Sequence, residues 1–251
     1  MNTQLPTFND LKDSALYTRP DRLVALLNKI SDMGDNHLLA AAHAEITSPF
    51  RLRLLIETIL RNENWFNKVL EESYYHENGF HKIVLLEGTL FKFRLHHFGS
   101  SAKIPMENIH DHRWPFASGV LYGRLHMSMF TTTGDEKISE KLLHYRYDSN
   151  KNNGSYGTDL IGSAYLKICE ERIYHPGDNY FMDTHELHRI TNSLGDESIT
   201  AILTGKPIRR KCNLFAKRPI TSSEKKPKKY SKEALSAMLR ILAEKIYPMN
   251  N

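Results

Sequence analysis

Cysteine is nearly missing from this 251-residue chain, which has two, Cys169 and Cys212. They form no CxxC pair or other metal-binding spacing, so a disulfide scaffold and a cysteine zinc site are both excluded. A reducing, cytoplasmic setting is the expectation. Long apolar runs are missing too, and no stretch approaches the roughly 18 to 20 residues that a membrane helix needs. The opening MNTQLPTFNDLKDS has neither a basic start nor an apolar core, so no secretion signal is expected. No internal repeat and no helix-turn-helix pattern is visible. At 40% hydrophobic and 25% charged residues, the composition is that of an ordinary globular protein with one large or two small domains.

The net charge is +5, and much of the excess sits in EKKPKKYSK, Glu224 to Lys232. A nucleic-acid surface would interleave aromatic with basic residues. This stretch does not, so it reads as a solvated linker, and a nucleic-acid partner is not expected.

Residues 19 to 72 carry helical periodicity. Leu23, Leu26, Leu27 and Ile30 share one face, and Leu52, Leu55, Ile56, Ile59 and Leu60 repeat the spacing after Pro49. From residue 79 the period becomes two. Phe91, Phe93 and Leu95 alternate with Lys92, Arg94 and His96, and SGVLYGRLHMSMF, GSAYLKICEERIY, NYFMD, LHRITN and ITAILTG follow as short strands between turn signals. A last helix is read after Ser231, a suitable N-cap, with Leu235, Met238, Leu239 and Leu242 as its stripe. Three segments result: 1–75, helical and packed on a barrel; 76–220, the β-barrel; and 221–251, the basic linker and C-terminal amphipathic helix.

Two stretches carry chemistry. In NIHDHRWPFASGVLYG, Asn108 to Gly123, His110 and His112 are separated by Asp111 alone. Residues i and i+2 of a strand face one side, so two imidazoles would project together, as metal ligands do. Asp111 would face away, free to hold loop backbone or pair with an arginine. In HPGDNYFMDTHELHRITN, a Pro176-Gly177-Asp178 turn leads into an apolar strand and then His188, with Asn192 four residues on.

Together these stretches resemble the cupin superfamily, over residues 80 to 216. The first motif, G-x5-HxH-x3,4-E-x6-G, is matched at His110, His112 and Gly123. The second, a P-G-D turn, a strand and a His followed by Asn, is matched at Pro176, Gly177, His188 and Asn192. Two positions depart: the opening glycine falls on Ile104, and the glutamate ligand falls on Phe116. The resemblance implies a fold that is mainly β with helical ends, a double-stranded β-helix or jelly-roll barrel. It implies His110, His112 and His188 as metal ligands. A three-histidine set without glutamate is similar to the cysteine dioxygenase branch, which implies Fe(II) and thiol oxidation; Zn, Ni or Mn also suit imidazole. HDHRWPFASGVLYG further resembles a cupin-like group with the pattern HDHxWxFxSxxLxG, whose activity is undefined.

The expected function is therefore a mononuclear non-haem iron oxygenase of dioxygenase type, acting with O2 on a small polar, amino-acid-like or thiol molecule. A non-redox metal-dependent isomerase or lyase, and a ligand-binding cupin without turnover, are the alternatives. A homodimer is left open. Around the metal, Tyr122 shares the parity of Phe116 and is a candidate pocket phenol. Arg94 or Arg124 could hold a substrate carboxylate. His185 is expected on the rim of the site, not as a ligand. His96 and His97 could line the pocket but read first as strand-surface residues, and Trp114 and Phe116 as packing at the barrel mouth.

Overall fold

The structure is a computed structural model that describes residues 7–76, 78–99, 107–148, 157–191, 196–220 and 228–248. Asn192 and the segment 224–227 of the basic stretch lie outside the described residues. Four helices come first: α1 Pro20–Met33, α2 Asn36–Ile46, α3 Pro49–Arg61 and α4 Glu63–Glu72. Each starts where the sequence supplies a start. Proline opens α1 and α3, Asp35 accepts from His37 N and Leu38 N ahead of α2, and Asn62 accepts from Trp65 N ahead of α4. Gly34, at φ 67°, ends α1 in the left-handed region.

Among the described residues thirteen strands follow: β1 Tyr74–Tyr75, β2 His81–Glu87, β3 Lys92–Phe98, β4 Ile109–His110, β5 Phe116–Gly123, β6 Leu125–Thr132, β7 Glu140–Asp148, β8 Gly157–Tyr174, β9 Asn179–Met182, β10 Leu187–Ile190, β11 Ser198–Thr204, β12 Lys211–Ala216 and β13 Lys228–Lys229. The closing helix, α5 Lys232–Ile246, starts at Ser231, whose hydroxyl accepts from Ala234 N at 3.1 Å.

The pairings are antiparallel and make two sheets. One has seven strands in the order β13-β1-β2-β3-β11-β5-β9, and the other closes on itself as β10-β4-β12-β7-β8-β6. This is the expected jelly-roll class with helices at both ends. Lys228 and Lys229, read from sequence as linker, pair with Tyr75 and Tyr74 as an edge strand.

The largest hydrophobic core lies outside the barrel. It joins Leu23, Leu27, Leu52, Ile56, Leu239 and Leu242 of the helices to Ile83, Phe93, Leu95, Ile199, Ala201 and Leu203 of the seven-stranded sheet. The apolar side of β3 thus faces helices, and its alternate residues Arg94, His96 and Phe98 face the barrel interior. An amphipathic strand here is dry outside and polar within.

His43 of α2 fastens the two layers. It is fully buried, and its Nε2 donates to Ala201 O at 3.0 Å. A Cβ at Gly119 would lie 3.1 Å from the His43 ring and 2.3 Å from Asn179 Oδ1, so glycine lets the helix approach.

One local irregularity overturns a sequence expectation. Ile199 pairs with Tyr122 but Thr200 pairs with Val120, so Leu121 is an extra residue in β5. Such a bulge breaks alternation. Phe116 and Val120 keep their inward direction, while Tyr122 turns outward, 37% exposed, with Lys245 Nζ 4.9 Å above its ring.

Candidate metal centre

His110, His112 and His188 come together as expected, with one ligand nitrogen from each lying within 4.8 Å of the others. The route differs in part from the sequence reading. β4 ends at His110, so His112 sits in the bend that follows the strand. His188 of β10 stands directly opposite His110 of β4, and their ring centroids are 4.6 Å apart.

Two ring orientations are fixed by the backbone. His110 Nδ1 lies 2.9 Å from Asn108 O and His188 Nδ1 lies 3.1 Å from Glu186 O. A carbonyl only accepts, so each Nδ1 carries the proton and each Nε2 presents a lone pair. His112 Nε2 and His188 Nε2 are 3.4 Å apart. Two nitrogens each about 2.1 Å from one ion, at a tetrahedral angle, stand about 3.4 Å apart.

Burial disfavours the charged forms of His112 and His188. It pushes His188 down to about 3, with His110 adding to the effect, and holds His112 well below the usual histidine range. Neutral imidazoles converging with free lone pairs are a fit donor set for a divalent transition ion.

The intervening Asp111 does what alternation requires. It is 2% exposed and accepts from Asn213 N and Asn213 Nδ2, both at 2.6 Å, and from Arg209 Nη1 at 3.0 Å. Arg209 Nη1 also reaches His112 O at 3.5 Å and Thr184 O.

Phe116, where a cupin would carry its glutamate ligand, sets its ring edge-on to His112 with centroids 4.9 Å apart. An apolar ring therefore stands where an anionic ligand would otherwise approach.

The histidines open into a cavity of about 50 Å³ that Arg94, His96, Glu107, Phe116, Tyr180 and Thr200 help to line. Arg94, one of the two arginines named as candidates for a substrate carboxylate, lines this cavity. It is 6% exposed, its Nε has no partner among the described residues, and burial pushes it down to about 10, so it stays cationic at neutral pH. Trp114, which packs beside it, holds its ring 5.9 Å from the Arg94 guanidinium carbon and 4.7 Å from that of Arg113.

The other candidates lie elsewhere. His185 is exposed on the turn before β10 and does not line the cavity. Tyr122 is on the outer face for the reason given above. Arg124 is on the surface, paired with Asp196 Oδ1 at 3.0 Å.

Glu107 escaped sequence reasoning, and His96, read first as a strand-surface residue with the pocket lining as its alternative, faces the cavity with Nε2 buried and without a partner among the described residues. The alternation was visible, but which face was inside was not. Glu107 precedes β4 and belongs to no periodic pattern; its place near His110 is the only sequence signal it gives. His97, also read as surface, is buried and bonds Glu197 Oε1 at 2.7 Å, away from the cavity.

No family model and no curated protein matches the sequence. Solved structures do match, with 135 chains found. One is an RmlC-like cupin from Shewanella frigidimarina NCIMB 400, at 14% identity and TM-score 0.29 over 55% of this chain and 85% of that one. Another is hydroxypropylphosphonic acid epoxidase from S. wedmorenis, at 13% and 0.33 over 78% and 95%. A third is hydroquinone 1,2-dioxygenase from Sphingomonas sp. TTNP3, at 7% and 0.31 over 50% of this chain and 66% of that one, just under two thirds of its length. Likenesses this distant carry neither a substrate nor a reaction to this chain. The jelly-roll class rests on the strand pairing above, and the metal site on the three histidines.

Proposed function

We propose that this chain is a metal-dependent oxygenase of cupin type, which binds Fe(II) through His110, His112 and His188 and acts with O2 on a small anionic molecule. The observation that carries the reading is one cavity holding three converging imidazoles, two of them oriented by backbone carbonyls, and a buried, under-bonded guanidinium. The bound metal supplies Lewis acidity and, as Fe(II), the electrons that O2 chemistry needs. The histidines contribute no charge, so the negative charge that balances the site comes from the substrate. Arg94 Nε seeks an acceptor, and an acid group of the substrate provides one and is oriented by it. Phe116, Tyr180, Leu125 and Ile202 line the cavity and limit the water around the reacting atoms. Zn, Ni or Mn in the same ligands would support an isomerase or lyase instead, because the donor set suits all of these ions. Free Cys169 and Cys212 agree with a reducing compartment.

The test is anaerobic reconstitution with Fe(II), followed by oxygen-electrode traces with cysteine, other small thiols and small polar acids. Substrate-dependent O2 uptake that needs Fe(II) and is lost in His112→Ala supports the oxygenase. Full turnover of an identified substrate without O2, or with Zn in place of iron, overturns it in favour of the non-redox reading.

A further inference from the structure

Glu107 brings a carboxylate to the same cavity. Its Oε2 accepts from Ile190 N at 3.1 Å and its Oε1 from Asn78 Nδ2 at 3.0 Å. Both donors are neutral, and among the described residues no ion pair compensates its charge. A carboxylate offers about four acceptor sites, so two bonds leave it with capacity directed at a ligand. It is not one of the clustered metal-ligand atoms.

Other residues of the lining carry the reverse chemistry. Arg94 and His96 are two apart on β3 and share its inward face. Arg94 Nε and His96 Nε2 are each buried with no partner among the described residues, and Thr200, opposite His96 on β11, lines the cavity beside them. Glu107, Arg94 and His96 line one cavity, so one ligand seated there meets both kinds of group.

We infer that Glu107 is a specificity-determining residue that binds a protonated amine of the ligand, while Arg94 and His96 hold its acid group. The ligand class is then a small zwitterion, and an acid lacking the amine leaves the part-buried Glu107 without a counter-charge. A charge-assisted hydrogen bond of this kind corresponds to about a tenfold change in affinity or more. This inference rests on the metal-site reading above and names the ligand class of that site.

The experiment compares alanine with propionate, which lacks only the amine, as probes of the cobalt-treated protein. Calorimetry reads ligand binding whether or not Co(II) loads, and the visible Co(II) spectrum separately reads the histidines. In the wild type, alanine binds about tenfold more tightly than propionate or better. In Glu107→Gln that preference falls to within about twofold, the Co(II) spectrum stays as in the wild type, and Arg94→Gln weakens both probes. Four results overturn the inference: no alanine preference in the wild type, an unchanged preference in Glu107→Gln, no binding of either probe, or a Co(II) spectrum altered by Glu107→Gln before any probe is added, which makes Glu107 a metal ligand. Failure of Co(II) to load while the alanine preference stands contradicts the metal reading alone.

Discussion

Arg209 and Asp111 form a clamp behind the metal centre. The guanidinium donates to Asp111 Oδ2 at 3.0 Å and also reaches Thr184 O. One side chain therefore ties the segment carrying His112 to the turn that leads into His188. Groups that hold ligands in place are typically worth 10- to 100-fold in metal affinity. Arg209→Lys keeps a cation for the buried Asp111 but loses the planar fork. The expected outcome is a folded protein by far-UV dichroism whose Co(II) affinity is lower by about tenfold. Unchanged affinity would remove the clamp from the account.

The roles of neighbouring histidines separate cleanly. His188 sits in β10 opposite His110, and His185 is exposed on the preceding turn. His188→Ala should lose most of the bound metal, and His185→Ala should retain it, as measured by elemental analysis after dialysis against a weak chelator. The reverse pattern would show that β10 is misregistered.

Acid sensitivity follows from His43. Burial pushes it down to about 4 from an ordinary 6.5. The folded state keeps it neutral over that interval, while the unfolded chain takes up a proton. Stability from this site is therefore complete above about pH 6.5 and falls as the pH drops towards 4, by about 1.4 kcal/mol per pH unit. Urea unfolding of metal-free protein should show wild type losing about 2 kcal/mol more than His43→Gln between pH 6.5 and 5. Equal losses in the two proteins would mean that His43 takes no part.

Gly123 closes the first motif for a backbone reason. Its φ is +71°, and a Cβ there would lie 1.9 Å from Glu197 O, a backbone atom that cannot swing aside. Gly123→Ala should cost about 1–3 kcal/mol for the backbone conformation, and more for the clash. A urea midpoint within error of wild type would contradict this.

What the sequence disclosed depended on periodicity and spacing. The stripes of α1, α3 and α5 were legible because Leu23, Leu52 and Leu239 recur at helical intervals and Pro49 and Ser231 mark two of the starts. The histidine cluster was legible because HxH and the later histidine keep their spacing to Gly123 and Gly177. The strands β7 and β12 were not read, since EKLLHYRYD and KCNLFA show little alternation between apolar and polar residues. Tyr122 was misplaced because the extra residue at Leu121 leaves no trace in composition. His96 was read first as surface because a sheet covered by helices on one side and a polar cavity on the other inverts the usual meaning of an apolar face.

The most direct measurement is Co(II) titration of protein purified without a histidine tag, followed by visible absorption. The account predicts saturation at about one ion per chain, with the spectrum of nitrogen ligation in wild type and its loss in His110→Ala, His112→Ala and His188→Ala, each still folded by far-UV dichroism. An unchanged Co(II) spectrum and stoichiometry in any of these three variants would contradict it.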